Sequence, residues 1–190
     1  HITSLLKTPE SIVKKLKNDG CEVTIENMVE HLNDIAGIRI ICSFMSDIYP
    51  IADMIARQAD ITVLHVKDYI KYPKTNGYKS YHMVVTIPVY LSEGKRDTKV
   101  EIQIRTIAMD FWASLEHKIA YKFEGKAPDY LERELKSCAD MVDMLDMKMF
   151  SLNQAIMAVE EEERRVEEEK RREREKAEKR QEELAGNGPT

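Results

Sequence analysis

The sequence predicts an α/β or α+β fold, a mixed β-sheet flanked by helices, with a charged helix at the C-terminal end. Three observations carry this expectation. Residues 100–106, VEIQIRT, alternate apolar side chains with Glu101, Gln103 and Arg105, the period of a half-buried strand. Other short apolar runs, at 37–44, 61–66 and 81–89, are interleaved with segments whose apolar residues recur at helical spacing. A turn at 92–95, SEGK, joins the run at 81–89 to the one at 100–106 and so makes a hairpin.

The elements follow in order. Thr8 offers a side-chain oxygen to free helix N–H groups, and the fixed φ of Pro9 suits the first turn. They open a helix with Ile12, Val13 and Leu16 inward and lysines outward, which Asn18, Asp19 and Gly20 end. A short helix is expected over 25–32, then a strand from Gly37 into the apolar run, a helix over 48–58 and a strand over 61–66. A polar loop, 67–80, leads into the hairpin. Helices are expected over 108–123 and from Pro128 onward, the last running from Tyr130 into the tail.

In that last helix Met141, Met144, Leu145, Met149, Leu152 and Ile156 recur at helical spacing, the mark of core or helix-partner contacts. Beyond Val159 the stripe stops. Glu160, Glu161, Glu167, Glu168 and Glu175 each stand four residues before an Arg or Lys, and such pairs contribute ~0.2–0.5 kcal/mol apiece. Together they hold a solvated helix without a core, fraying at AGNGPT; without apolar heptad positions there, a coiled coil is not indicated.

With 190 residues and 43% hydrophobic content the chain builds one domain with a real core. Residues 160–184 hold 12 acidic and 9 basic side chains, −3 of the net −5, so the remainder is nearly neutral. That argues against bulk electrostatic binding to nucleic acid, which needs a basic field, and leaves room for small polyanions held locally. Cys21, Cys42 and Cys138 are odd in number and far apart, with no CxxC pair, as in a reduced, cytoplasmic protein. No run approaches the ~20 apolar residues of a membrane span, and no signal peptide is visible. The chain opens on His1 rather than Met, so a preceding segment is expected.

Asp34 and Arg39 lie just before and within one apolar run, Glu101 and Arg105 in another. Two carboxylates beside two arginines on adjacent strands suit a divalent ion and a polyphosphate, although a strand with a solvated face has the same pattern. The loop 71–82 gathers Lys74, Lys79, Tyr78, Tyr81 and His82 around an Asn76–Gly77 turn, where lysines neutralise phosphate and an aromatic face stacks on a base. Lys7, Ser11, Lys14 and Lys15 sit near the start of the first helix, whose N–H groups favour anions. Solvated lysines would look the same. Taken together, these are the parts of phosphoryl-type transfer, whose catalysis is mostly positioning and charge neutralisation.

Four ordered stretches resemble the synthetase domain of the RelA/SpoT family. They are HITSLLKTPESI (1–12), DIAGIRIIC (34–42), DYI (68–70) through NGYKSYH (76–82), and VEIQIRT (100–106) with FWA (111–113) and EH (116–117). The resemblance is nearest to the stand-alone small alarmone synthetases of bacteria and spans residues 2–145. It implies a nucleotidyltransferase-like α/β fold, a catalytic domain over 1–157 with a charged tail over 158–190, and transfer of the β,γ-pyrophosphate of ATP to the 3′-hydroxyl of GTP or GDP, giving (p)ppGpp. It also implies Mg²⁺ as cofactor and a homo-oligomer, with a tetramer as the form the family suggests.

Carried over by position, the resemblance makes Asp34 and Glu101 the catalytic pair, with Asp34 as Mg²⁺ ligand and Glu101 as second ligand or base for the acceptor hydroxyl. Lys7, Ser11 and Lys15 then meet the ATP phosphates, and Arg39 stacks on adenine. Tyr78 stacks on guanine, Lys74, Lys79 and His82 share its loop, and Gln103, Arg105 and His117 surround the acceptor. Two departures stand out. Leu5 occupies a position where relatives carry an arginine for the other face of adenine, and the helical segment that precedes the match in relatives is not present. No His-Asp hydrolase region occurs, which implies synthesis without degradation. The alternatives are transfer to an RNA 3′ end, and a catalytically weak nucleotide-binding regulator motivated by Leu5.

Overall fold

The structure, a computed structural model, describes residues 1–32, 34–92 and 94–186. In chain order the elements are β1 (Ile2–Leu6), α1 (Pro9–Asn18), α2 (Ile25–His31), β2 (Ala36–Cys42), a 3₁₀ turn (Met45–Asp47), α3 (Ile48–Ala56), β3 (Thr62–Asp68), β4 (Tyr81–Leu91), β5 (Gly94–Thr106), α4 (Ile107–Lys122) and α5 (Asp129–Gly186). The chain divides into two compact units, His1–Met147 and Lys148–Thr190.

The first unit is built on a five-stranded sheet in the order β1-β2-β5-β4-β3. Only β2 and β5 run parallel; the other neighbours are antiparallel. Because side chains alternate along each strand, the register sorts the sheet into two unlike faces. One carries Ile38, Ile40, Met83, Val85, Val100, Ile102 and Ile104, and with Ile48 and Ala52 of α3 and Met109 of α4 it forms the main core. The other carries Glu101, Gln103 and Arg105.

Local chemistry sets the helix ends. The Thr8 hydroxyl accepts from Ser11 N at 3.4 Å, Thr24 from Asn27 N at 3.1 Å and Thr106 from Met109 N at 3.1 Å, each satisfying a free N–H of a first turn. The Phe44 N–H finds Asp47 Oδ2 at 3.1 Å, closing the turn before α3. A second cluster joins Trp112 and Ala113 of α4 to Ala139, Leu135 and Val142 of α5 and to Tyr78. The Trp112 indole donates to Leu135 O at 2.8 Å, and the Thr106 hydroxyl to the buried Asp146 at 2.6 Å.

Three elements differ from expectation. The residues before α1 form a paired edge strand, with Leu5 opposite Gly37 and Ile2 opposite Ile40. β5 starts at Gly94, not Val100, because 94–99 pair with 86–91 although they are polar. Of the expected hairpin turn, Glu93 lies outside the described residues. On α5 the residues that pack are Leu135, Ala139 and Val142, whereas Met141, Met144, Leu145, Met149, Leu152 and Ile156 are exposed. Positions 135, 139, 142 and 146 share a helix face that 141 and 144 do not.

In the second unit the charged stretch is helical. Glu168 pairs with Arg172 at the expected spacing, while Arg164 and Arg165 reach back three residues, to Glu161 and to Glu162 at 3.0 Å. Residues 187–190, the end of the expected frayed tail, lie outside the described residues.

Gly77 has φ +91° and lies against α5, where a β-carbon would meet that of Ala139 at 2.5 Å. A side chain there is both conformationally strained and overpacked. Gly77→Ala should therefore lower unfolding stability by about 1–3 kcal/mol, read from urea denaturation. An unaltered midpoint would contradict this packing.

Candidate active site

Two rows of side chains cross the polar face of the sheet. Thr3, Arg39, Gln103, His82 and Lys67 occupy paired positions on β1, β2, β5, β4 and β3; Leu5, Gly37, Glu101, Val84 and His65 occupy the next. Arg105 follows, beside Ile41. Glu101 is flanked on the β2 side by Gly37, where a β-carbon would stand 3.4 Å from that of Leu5 on β1.

The polar groups close a ring of hydrogen bonds. Arg105, only 3% exposed, donates through Nη2 to the Tyr78 hydroxyl at 3.1 Å and to Gln103 Oε1 at 2.5 Å. Gln103 Nε2 donates to Glu101 Oε2 at 3.0 Å. His82 lies between Tyr78, whose hydroxyl is 2.8 Å from Nε2, and Glu101, whose Oε1 is 3.2 Å from Nδ1. With the histidine proton on Nδ1, Tyr78 donates to His82 and His82 to Glu101, which closes the ring, while the buried Nε of Arg105 has no partner among the described residues. Burial raises the Tyr78 pKa and keeps that hydroxyl a donor. Burial also pushes Glu101 up, but the hydrogen bonds from His82 and Gln103 outweigh it and leave the carboxyl below its usual range, hence ionised.

Asp34, in the turn before β2, faces the same space. Lys15 of α1 reaches both its oxygens at 2.8 Å, and Lys7 stands 3.1 Å from Oδ2. A cleft of about 120 Å³ is lined by Asp34, Glu101, Lys15 and His82, together with His31, His65 and Lys67. The structure thus brings Lys7, Lys15, Asp34, Arg39, Tyr78, His82, Glu101, Gln103 and Arg105 to one face. Lys74 lies above two aromatic rings, 4.9 Å from the centre of Tyr78 and 5.0 Å from that of Tyr69. Lys74 also lines a larger cleft of about 740 Å³ with Asn76, Glu116, Arg133 and Lys136, which does not contain the carboxylate pair.

Three expected residues stand differently. Ser11 is exposed in the first turn of α1, its hydroxyl 3.1 Å from that of Thr8. His117 is exposed on α4. Lys79 turns to α5 and pairs with Asp143. Sequence reading missed Asp110, in the first turn of α4, whose Oδ1 lies 3.4 Å from Arg39 Nη1 and 3.5 Å from Arg105 Nη1, so one carboxylate serves both arginines. It also missed His65 and Lys67, whose signal was the alternation in TVLHVKD of β3. Among the described residues, no group of three or more His, Cys, Asp or Glu side chains is placed to hold a metal ion. Nor is any helix among them long and apolar enough to cross a membrane.

A mixed sheet whose polar face sets two carboxylates among lysines and arginines defines a phosphate-handling α/β domain. The profile described as "Region found in RelA / SpoT proteins" matches residues 4–126, and the chain belongs to the RelA/SpoT family. It is 50% identical over 156 residues to GTP pyrophosphokinase YwaC of Bacillus subtilis strain 168, covering 82% of this chain and 74% of that protein. Among solved structures it is similar to small alarmone synthetase 2 of B. subtilis (TM-score 0.75, 48% identity, 82% of this chain and 80% of that one). It is also similar to small alarmone synthetase 1 of B. subtilis bound to its product pppGpp (TM-score 0.76, 35% identity, 82% and 78%). The family and the fold are those the motifs predicted.

Asp34 supplies a test of the electrostatics. Burial alone would raise its pKa; the hydrogen bonds and charges of Lys15 and Lys7 reverse this and hold it below the usual carboxylate range. A carboxyl with a lowered folded pKa contributes stability that is fully present above its unfolded value and is lost as pH falls through the folded one. Lys15→Met removes a main partner. At pH 7 the variant should melt a few degrees lower, the scale of about 1 kcal/mol in a chain of this size, and the gap should close as pH falls from about 5 to 3. A difference in Tm that does not change with pH would contradict this account.

Proposed function

We propose that this protein is a GTP pyrophosphokinase that transfers the β,γ-pyrophosphate of ATP to the 3′-hydroxyl of GTP or GDP, giving (p)ppGpp. The observation that carries the reading is the pair Asp34 and Glu101 facing one cleft, with lysines on the Asp34 side and the Arg105–Tyr78–His82 chain on the Glu101 side. The named activities of the family relatives support it.

On the donor side, Lys7 and Lys15 carry charge to offset a triphosphate, with Ser11 at the start of the same helix. Arg39 presents a planar guanidinium to the adenine. On the acceptor side, Tyr78 with Lys74 over its ring forms the guanine platform, and the cleft lined by Lys74 and Asn76 gives the nucleotide room beside the loop. Gln103 and His82 fix the orientation of Glu101. Glu101 then takes the proton of the 3′-hydroxyl as that oxygen bonds to the β-phosphorus of ATP. The α,β-bridging P–O bond breaks, and AMP leaves with its electrons.

The donor set suits Mg²⁺: two hard carboxylates on one cleft, no third acid lining it among the described residues, and a shell left for substrate phosphates to complete. Asp34 and Glu101 would hold the ion, which when bound supplies charge neutralisation at the phosphates. The substrates belong to the cytoplasm, which also suits free Cys21, Cys42 and Cys138. The reading includes a homo-oligomer, supported by the exposed apolar side chains Phe111 and Leu115 of α4.

Incubation with ATP and Mg²⁺ and, separately, GTP, GDP or tRNA, with chromatographic separation of the products, tests the activity. Production of AMP together with a 3′-pyrophosphorylated guanine nucleotide is expected; modification of the tRNA alone would favour an RNA acceptor. Glu101→Gln keeps shape and deletes charge, so it should reduce kcat by about a hundredfold or more while ATP and GDP still bind in calorimetry. Substantial turnover in that variant would remove Glu101 from the chemistry.

Leu5 gives a second test. It shares the polar face with Arg39 one paired row away and precedes Lys7, so residue 5 lies on the adenine side of the phosphates. Leu5→Arg should lower KM for ATP several-fold, the scale of a cation–π contact of about 0.5–2 kcal/mol, and leave KM for GTP unchanged. Weaker ATP use at an unchanged Tm would defeat this role.

A further inference from the structure

The loop that carries Tyr78 shapes itself locally. Gly77 N donates to Lys74 O at 2.9 Å, Lys74 N to Tyr78 O at 3.2 Å, and Tyr78 N to Asn76 Oδ1 at 3.1 Å. These bonds curl the loop but do not fix it to the domain. Beside the bonds of Tyr78 to Arg105 and His82 and of Asn76 Nδ2 to Glu116 of α4 at 3.5 Å, α5 anchors it: Gly77 lies against Ala139, and the Lys79 ammonium pairs with Asp143. Lys79 is 21% exposed and Asp143 34%, so the pair is far less open to solvent screening than the ion pairs of the charged helix. Met109, Trp112 and Val142 surround it, and the second carboxylate nearby, Asp146, holds the Thr106 hydroxyl that caps α4.

Lys79 and Tyr78 are consecutive and point to different places, one to α5 and the other to Arg105 and His82. We infer that Lys79 and Asp143 form a latch that positions the acceptor loop, so that Lys79 acts through the placement of Tyr78 and does not touch the nucleotide. α5 in turn packs on Trp112 of α4, the helix that bears Asp110, the shared partner of Arg39 and Arg105. Both residues are positioning residues, and the inference rests on the acceptor role proposed for Tyr78.

Charge exchange tests it in the full chain. Lys79→Asp and Asp143→Lys should each raise KM for GTP roughly three- to tenfold with KM for ATP unchanged, the scale of losing one half-buried pair. The double exchange should restore KM for GTP. Asp143→Asn, a milder change, should act in the same direction as Asp143→Lys. Trp112 is the one tryptophan in the chain and its ring centre lies 6.4 Å from that of Tyr78, so its fluorescence reports the loop without any turnover. Its emission should shift in each single variant and return in the double. If Asp143→Asn leaves KM for GTP unchanged while Lys79→Asp raises it and the double exchange does not recover, Lys79 contacts the nucleotide and the latch is wrong. If the wild type consumes no GTP, the acceptor reading fails instead, and recovery of the Trp112 emission in the double variant still decides whether the latch exists.

Discussion

The charge of Arg105, buried where it cannot be given up, is the constraint from which the polar face is built. A guanidinium remains protonated at any working pH, and in a site this poorly hydrated every unmet donor costs free energy. Gln103, Tyr78 and Asp110 answer its two Nη groups, and each is thereby fixed, while Nε has no partner among the described residues. Gln103 and, through His82, Tyr78 then orient the two oxygens of Glu101. Removing any member leaves a partner buried without its bond, so the ring acts as a unit and single substitutions within it are not additive. Asp110 extends the same logic to Arg39, so the residues proposed for the two nucleotides meet at one carboxylate.

Most of this face was legible because strand periodicity is local. VEIQIRT states by alternation that Glu101, Gln103 and Arg105 share a side, and the apolar residues between them state where the core lies. Helix starts at Thr8 and Thr106 are local too, since a hydroxyl and a nearby N–H suffice. What could not be read depends on partners distant in sequence. ITSLL becomes a strand only because β2 offers an edge to it, and KRDTK joins β5 only because β4 is long enough to pair with it. The neighbours of Lys79 in sequence point it to a phosphate; its ion-pair partner Asp143 lies on a helix whose phase depends on the packing of Leu135, Ala139 and Val142. Asp110 stands four residues after the motif, where an acid in a first helical turn is explained by the helix dipole alone.

The division of the face into rows also separates two jobs. The row through Arg39, Gln103 and His82 supplies hydrogen bonds and charge, and the row through Leu5, Gly37 and Glu101 supplies the carboxylate proposed to react. At Gly37 that row carries no side chain, and a β-carbon there would stand 3.4 Å from that of Leu5. Lys15 of α1 and Lys7, just before that helix, approach from that end and meet Asp34.

β5 is the centre of the sheet and the last of its strands in sequence. Its parallel partner β2 is paired to it across more than sixty intervening residues, Gly37 to Glu101. Until β5 is available, β1–β2 and β3–β4 are separate ribbons with open edges, and neither the apolar face nor the polar one is complete. Insertion of one strand therefore forms the core and the site in the same event, a long-range step that is slow relative to local pairing. During synthesis the chain passes through an interval in which those edges are open to wrong pairing. A one-residue slip in the final insertion would turn Glu101, Gln103 and Arg105 into the core, so a chain that has buried its apolar residues has also placed its carboxylate.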